Sequence, residues 1–165
     1  MKSLNNYYSV AGQTKNVADI IKEQLNCDEF EIETKEEIKP DILSRYYKGT
    51  KAMFSSSLPE LKPYNLNLNE YDRIILGFPN WASNFPPAVK AFIEQNDFSN
   101  KDVYLFTTYV ARGGSKCLEN VAKYFENSSS VKALGKFSLP KSKNKEKLIK
   151  EIREKLKVMD VKIFS

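Results

Sequence analysis

Residues 7–21 read YYSVAGQTKNVADII. An aromatic, strand-like start at Tyr7 and Tyr8 runs into Ser9, Ala11, Gly12, Gln13 and Thr14, and an amphipathic stretch follows at once. From Thr14 onward, Val17, Ile20, Ile21 and Leu25 recur at helical spacing. The small polar turn has two readings. It can be a phosphate cradle, because the first N–H groups of a helix lack partners and its positive dipole end faces the turn. It can equally be an ordinary helix cap, for which these residue types are preferred. Gly12 permits a tight backbone approach. Ser9, Gln13 and Thr14 supply side-chain hydroxyls and an amide, but position 11 is an alanine where a cradle would gain from another hydroxyl.

Outward from that stretch, strand-like and helix-like periods alternate. LNNYYS reads as a strand, flawed by Asn5 and Asn6, and FEIET alternates with Phe30 and Ile32 on one face. YDRIILG is a short apolar run ending at Gly77. NFPPAVKAFIEQ carries tandem prolines at a helix entrance, where a missing N–H costs nothing, and then the stripe Val89, Phe92, Ile93. DVYLFTTY is a second buried-strand run, and GGSKCLENVAKYF predicts a helix with Leu118, Val121, Ala122 and Phe125 inward. VKALGKFSLP predicts a strand broken around Gly135, and NKEKLIKEIREKL a closing helix with Leu148, Ile152 and Leu156 inward. About five strands and about five helices in alternation point to βαβ units and a parallel sheet wrapped by helices. Within residues 35–70, KPDILSRYYKGTKAMF predicts a helix after Pro40, and SSSLPELKPYNLNLNEY an irregular connection. Residues 1–165 read as a single domain.

Composition narrows the chemistry. With 41% apolar and 28% charged residues, this is an ordinary globular chain. No apolar run approaches the roughly 20 residues of a membrane span. MKSLNNYY lacks a signal-peptide core, which favours the cytoplasm. Cys27 and Cys117 read as free structural thiols in preference to a disulfide or redox pair. There is no histidine, which removes Ser-His and Cys-His triads and histidine metal sites. Redox or hydrolytic chemistry would then fall to a bound cofactor.

The net charge of +5 is uneven: residues 1–135 hold 16 Lys and Arg against 17 Asp and Glu, and residues 136–165 hold 10 against 4. The C-terminal excess reads as a solvated helix face, or else as a patch for an acidic partner. With only Phe137 and Phe164 as aromatics in that segment, nucleic acid is not an expected partner.

In an open α/β sheet, ligands bind beyond the carboxyl ends of the strands. Three strand ends here are suggestive: SVAGQT, GFPNWASNFPP and TTYVARGG. A parallel sheet brings them to one edge. Trp81, the lone tryptophan, lies just past a strand end between Pro79 and Pro86, where a planar aromatic could stack on a planar ligand. Tyr109 could form the other wall. Core packing is the competing reading for each.

These residues carry a resemblance. The chain resembles the flavodoxin-like proteins, in particular the short bacterial group related to FMN-dependent oxidoreductases. The likeness rests on YYSVAGQTKNVADII, YDRIILGFPNWASNFPPAVKAFI and VYLFTTYVARGGSKCLENVAKYF, and covers residues 2–127. It implies an α/β three-layer sandwich: a five-stranded parallel sheet in order 2-1-3-4-5 with helices on both faces, and one FMN. In that family the first loop reads Ser/Thr-x-Thr-Gly-Asn/Gln-Thr and holds the phosphate. Ser9, Gly12, Gln13 and Thr14 match it; Ala11 does not. By position, Pro79, Asn80, Trp81 and Ala82 would line the isoalloxazine. So would Thr107, Thr108 and Tyr109, with Gly113 behind them.

The resemblance implies an FMN redox protein that carries electrons to or from a partner protein. An NAD(P)H-dependent FMN oxidoreductase acting on a quinone or another small acceptor is the enzyme alternative. Arg112 and Lys116, in or beside the third loop, would favour an anionic reduced flavin. A cofactor-free binding module is the contrasting reading, supported by Ala11 and the Asn pair. No residue presents itself as an obligatory acid or base. Asn5 and Asn6 fall on opposite faces of a central strand, so each needs a partner or weakens the fold.

Overall fold

The computed structural model describes residues 1–37, 57–109, 113–138 and 144–159. The two apolar runs of the sequence form inner strands, β3 (Arg73–Pro79) and β4 (Asp102–Tyr109). β1 (Ser3–Tyr7) lies beside β3, β2 (Asp28–Glu31) forms one edge and β5 (Ser130–Ser138) the other. The order is β2-β1-β3-β4-β5, as the family resemblance implies, and every pairing is parallel. The helices among the described residues are α1 (Gln13–Leu25), α2 (Pro87–Gln95), α3 (Gly114–Ala122) and α4 (Lys145–Leu156).

Strand alternation sorts the core into two layers. Leu4, Ile74, Leu76, Phe78, Val103 and Leu105 point to one face, where Val89 and Phe92 of α2 and Leu118 and Val121 of α3 cover them. Tyr7, Ile75, Tyr104 and Phe106 point to the other, under Val17 and Ile21 of α1 and Leu148, Ile152 and Leu156 of α4. Helices on both faces explain why β3 and β4 read as apolar runs. Gly77 is a gap in one such run that the Phe106 ring fills: a Cβ there would fall inside the van der Waals envelope of three ring carbons.

Local signals translate directly. Pro86 caps α2 and Pro87 opens it. The predicted break near Gly135 is a register shift: Leu105 pairs with Ala133 but Phe106 with Gly135, leaving Leu134 over. Two expectations differ in detail. α3 ends at Ala122, short of Phe125, because the last turns tighten into Tyr124 N–H to Val121 O and Phe125 N–H to Ala122 O bonds. The connection before β3 is partly ordered against β2: Thr34 and Leu61 form an antiparallel bridge, flanked by Lys35 N–H to Glu60 O and Lys62 N–H to Glu33 O. The helix predicted after Pro40 lies outside the described residues.

The Asn pair is half satisfied. Asn5 donates from Nδ2 to Ala18 O of α1 at 2.9 Å, and Asn6 donates to Ile75 O at 3.3 Å. Both residues are fully buried, and both Oδ1 atoms lack a partner among the described residues. Replacing Asn5 by the near-isosteric leucine forfeits one hydrogen bond worth roughly 1 kcal/mol but removes an orphaned carbonyl costing roughly 1–3 kcal/mol. Asn5→Leu is expected to stabilise the fold by about 1 kcal/mol, read as a higher urea midpoint at unchanged m. A lower midpoint would show that the carbonyl is satisfied by internal water.

Candidate functional site

The parallel register carries the ends of β1, β3 and β4 to one edge. Tyr7 pairs with Gly77, and Pro79 pairs with Thr108. The turn after β1 swings into α1 through Gly12, in the left-handed region at φ 80° with ψ −5°. A glycine cap supplies no side chain, and the first turn of α1 holds no acidic residue. Ser9 Oγ accepts from Lys15 N–H at 3.2 Å. Among the described residues nothing accepts from the N–H groups of Gln13 and Thr14, the unpaired donors of the helix start. Ala11 and Gly12 are exposed and Gln13 is half-buried at the rim. Lys15 Nζ bonds Asp19 one turn along the helix at 2.7 Å, so the anion-attracting groups of the turn are its amides.

Thr14 faces inward. It is 1% exposed, and its hydroxyl shares a 2.8 Å hydrogen bond with that of Thr108, itself buried. Asn80 N–H donates to Thr108 O at 2.8 Å, so one residue of β4 ties the first and second loops together. Thr107 also faces inward, its Oγ1 donating to Phe78 O at 2.9 Å. Thr14, Thr107 and Thr108 are therefore braces, and Ser9, Gly12 and Gln13 form the open rim. Pro79, Asn80 and Tyr109 are half-buried at the strand ends.

The second loop is a two-residue hairpin turn. Trp81 and Asn84 exchange N–H to O bonds of 2.8 and 2.9 Å, and Ala82 and Ser83 between them have φ of 50° and 64°. Two positive φ values are the mark of a type I′ turn, which normally takes Asn and Gly. For Ala and Ser each left-handed conformation costs roughly 1–2 kcal/mol. The turn presents Trp81, half-buried, edge-on to Tyr8 at a centroid separation of 6.2 Å and 78°. Ala82 is exposed at the tip. Gly113, at φ 94°, lies against the turn: a Cβ there would collide with the Ser83 hydroxyl and sit 3.2 Å from Asn80 Nδ2.

Several residues here escaped the sequence reading as parts of the site. Cys117 Sγ donates to Asn84 O at 2.9 Å, and Asn120 Nδ2 donates to Ser83 O at 3.3 Å. Their signal was present: Gly113, Cys117 and Asn120 fall four and three residues apart, on one helix face. Tyr8, read as part of a strand, is the buried neighbour of Trp81. Burial is the first cause that pushes the Cys117 thiol and the Tyr8 phenol each up to about 12, so both stay protonated at neutral pH. Cys27 and Cys117 are both free. A cavity of about 230 Å³ opens beside the first loop between Tyr8, Ser9, Thr34 and Lys62. A cleft of about 350 Å³ bordered by Phe98, Lys123 and Asn127 includes none of the three loops. No helix among the described residues is long and apolar enough to cross a membrane.

A family model described as Flavodoxin matches residues 2–155. Among solved structures, a candidate flavoprotein from Bacteroides uniformis ATCC 8492 is 25% identical, with a TM-score of 0.74 over 92% of this chain and 97% of that one. A candidate flavoprotein from Bacteroides eggerthii DSM 20697 superposes with a TM-score of 0.79 at 21% identity, over 98% and 99% of the two chains. The flavoprotein from Lactobacillus acidophilus NCFM, solved in complex with FMN, gives 0.67 at 23% identity over 80% and 92%. At these identities the last two likenesses concern the fold. None of the curated proteins matches this chain.

Proposed function

Because this chain belongs to the flavodoxin family, we propose that it is an FMN-binding redox protein that carries electrons to or from a partner protein. The observation that carries this reading is the bonding of three strand-end loops to one another beside an open helix start. The residues fit the cofactor. Gln13 and Thr14 present unpaired amides at the positive end of α1, and Ser9 adds a hydroxyl at the rim, a set suited to a phosphate dianion. Pro79, Asn80, Trp81, Ala82 and Tyr109 would flank the isoalloxazine, with Gly113 behind the turn. Thr14, Thr107 and Thr108 would hold these walls in place. When bound, the flavin supplies the electron chemistry; the protein supplies position, exclusion of water and electrostatics.

Two free thiols suit a reducing cytoplasm. Titration of the purified protein with FMN, followed by quenching of flavin fluorescence, tests the reading. Protein that stays colourless and quenches nothing at high micromolar FMN would sink it. Trp81→Ala is expected to weaken FMN binding by about fivefold, the loss of one aromatic contact of roughly 1 kcal/mol. An unchanged affinity would return Trp81 to a packing role.

The net charge of +5 favours a second reading, an NAD(P)H-dependent FMN oxidoreductase, since carriers of this fold are commonly acidic. Steady turnover of NAD(P)H with a quinone would select the enzyme. Two resolved one-electron steps in a reductive titration would select the carrier.

A further inference from the structure

We propose that Cys117 and Asn120 are positioning residues: from one face of α3 they hold the Trp81–Asn84 turn in its left-handed form and so fix Trp81 for the flavin. The proposal rests on the FMN reading above. The turn does not explain itself. Neither Ala82 nor Ser83 adopts a positive φ by preference, and such conformations persist only where the surroundings over-determine them. The surroundings here are one helix. At its start Gly113 leaves just enough room for the Ser83 hydroxyl. One turn on, the buried Cys117 thiol donates to Asn84 O at 2.9 Å. One turn further, Asn120 Nδ2 donates to Ser83 O at 3.3 Å. The helix thus holds two successive carbonyls of the turn from outside, while the turn's own two bonds link Trp81 and Asn84. A cysteine serving only as core filler would place its sulfur against apolar side chains; this one is aimed at a carbonyl.

The test uses the full chain. Hydrogen exchange of the Trp81 and Asn84 amides reads the turn without cofactor, and fluorescence quenching reads FMN affinity. Cys117→Ala and Asn120→Ala are each expected to speed both amides by about fivefold and to weaken FMN by about fivefold, the effect of one lost hydrogen bond of roughly 1 kcal/mol. Cys117→Ser, whose hydroxyl still donates, should stay within about threefold of the parent on both readouts. Adding Ser83→Gly to Cys117→Ala should restore protection, because glycine takes the positive φ freely. Unchanged exchange and affinity in both alanine variants would overturn the proposal, as would a serine variant no better than alanine. Should Cys117→Ala fail to fold, the half-buried Asn120 carries the test alone. A parent protein that binds no FMN would sink the reading above, and exchange of the turn amides would still decide whether α3 holds the turn.

Discussion

Replacing Ala11 by threonine should tighten FMN binding by about tenfold to a hundredfold, since a hydrogen bond to a charged acceptor is worth roughly 1.5–3 kcal/mol. Ala11 is exposed in the turn, next to Gly12 and the unpaired first-turn amides of α1, so a larger side chain meets no core. The gain should be confined to the phosphate. Riboflavin, which lacks that group, should bind Ala11→Thr and the parent alike. Fluorescence titrations with both flavins check this. An equal gain for both would mean that the substitution changed the loop as a whole; no gain for FMN would place the phosphate elsewhere. Because ligand binding stabilises the folded state by mass action, the tighter variant should also show a larger rise in Tm with FMN at fixed concentration.

Gly77→Ala should be strongly destabilising. Overpacking costs roughly 1–3 kcal/mol and occasionally more, and this site belongs at the upper end. The new Cβ would overlap three carbons of the Phe106 ring, and that ring is fully buried and packed edge-on against Phe137 at 6.0 Å. Urea unfolding should show a loss of about 3 kcal/mol or more. Phe106→Leu alone should destabilise by leaving a void, yet in the double variant it should recover part of the Gly77→Ala loss. Such non-additivity is the signature of a shared contact. Simple addition of the two losses would show that the alanine is accommodated by moving β3 and not by pressing on the ring.

The parallel sheet and its two helical layers were legible because the periodic signals were strong where burial is two-sided; the strand order came only with the family resemblance. The runs at residues 73–79 and 102–109 could hardly be anything but inner strands, and Pro86 and Pro87 marked a helix start. The edge of the sheet where a ligand would sit was legible as well, since the topology alone brings the three strand ends together. Less legible was which way each side chain turns. Thr14 reads as a hydroxyl of the first loop and Thr108 as part of the lining third loop, and only the folded register shows the two hydroxyls meeting. Cys117 and Asn120 stand more than 30 positions from the carbonyls they hold. Local pattern puts Gly113, Cys117 and Asn120 on one helix face but does not say which distant carbonyls that face meets. The turn at Ala82 and Ser83 was hidden for the opposite reason: its conformation runs against local preference.

The Thr14–Thr108 hydrogen bond has a consequence for how the holoprotein is made. Its partners are 94 positions apart in the chain. On a ribosome the turn after β1 emerges early, but its brace arrives only after β3, α2 and most of β4 have been synthesised. Contacts of such sequence separation are slow to form, because loop closure precedes the reward. On the proposed reading, cofactor loading is therefore expected late, once β4 is in place. FMN binding on that reading follows the pairing of β1, β3 and β4 and cannot template the first half of the sheet.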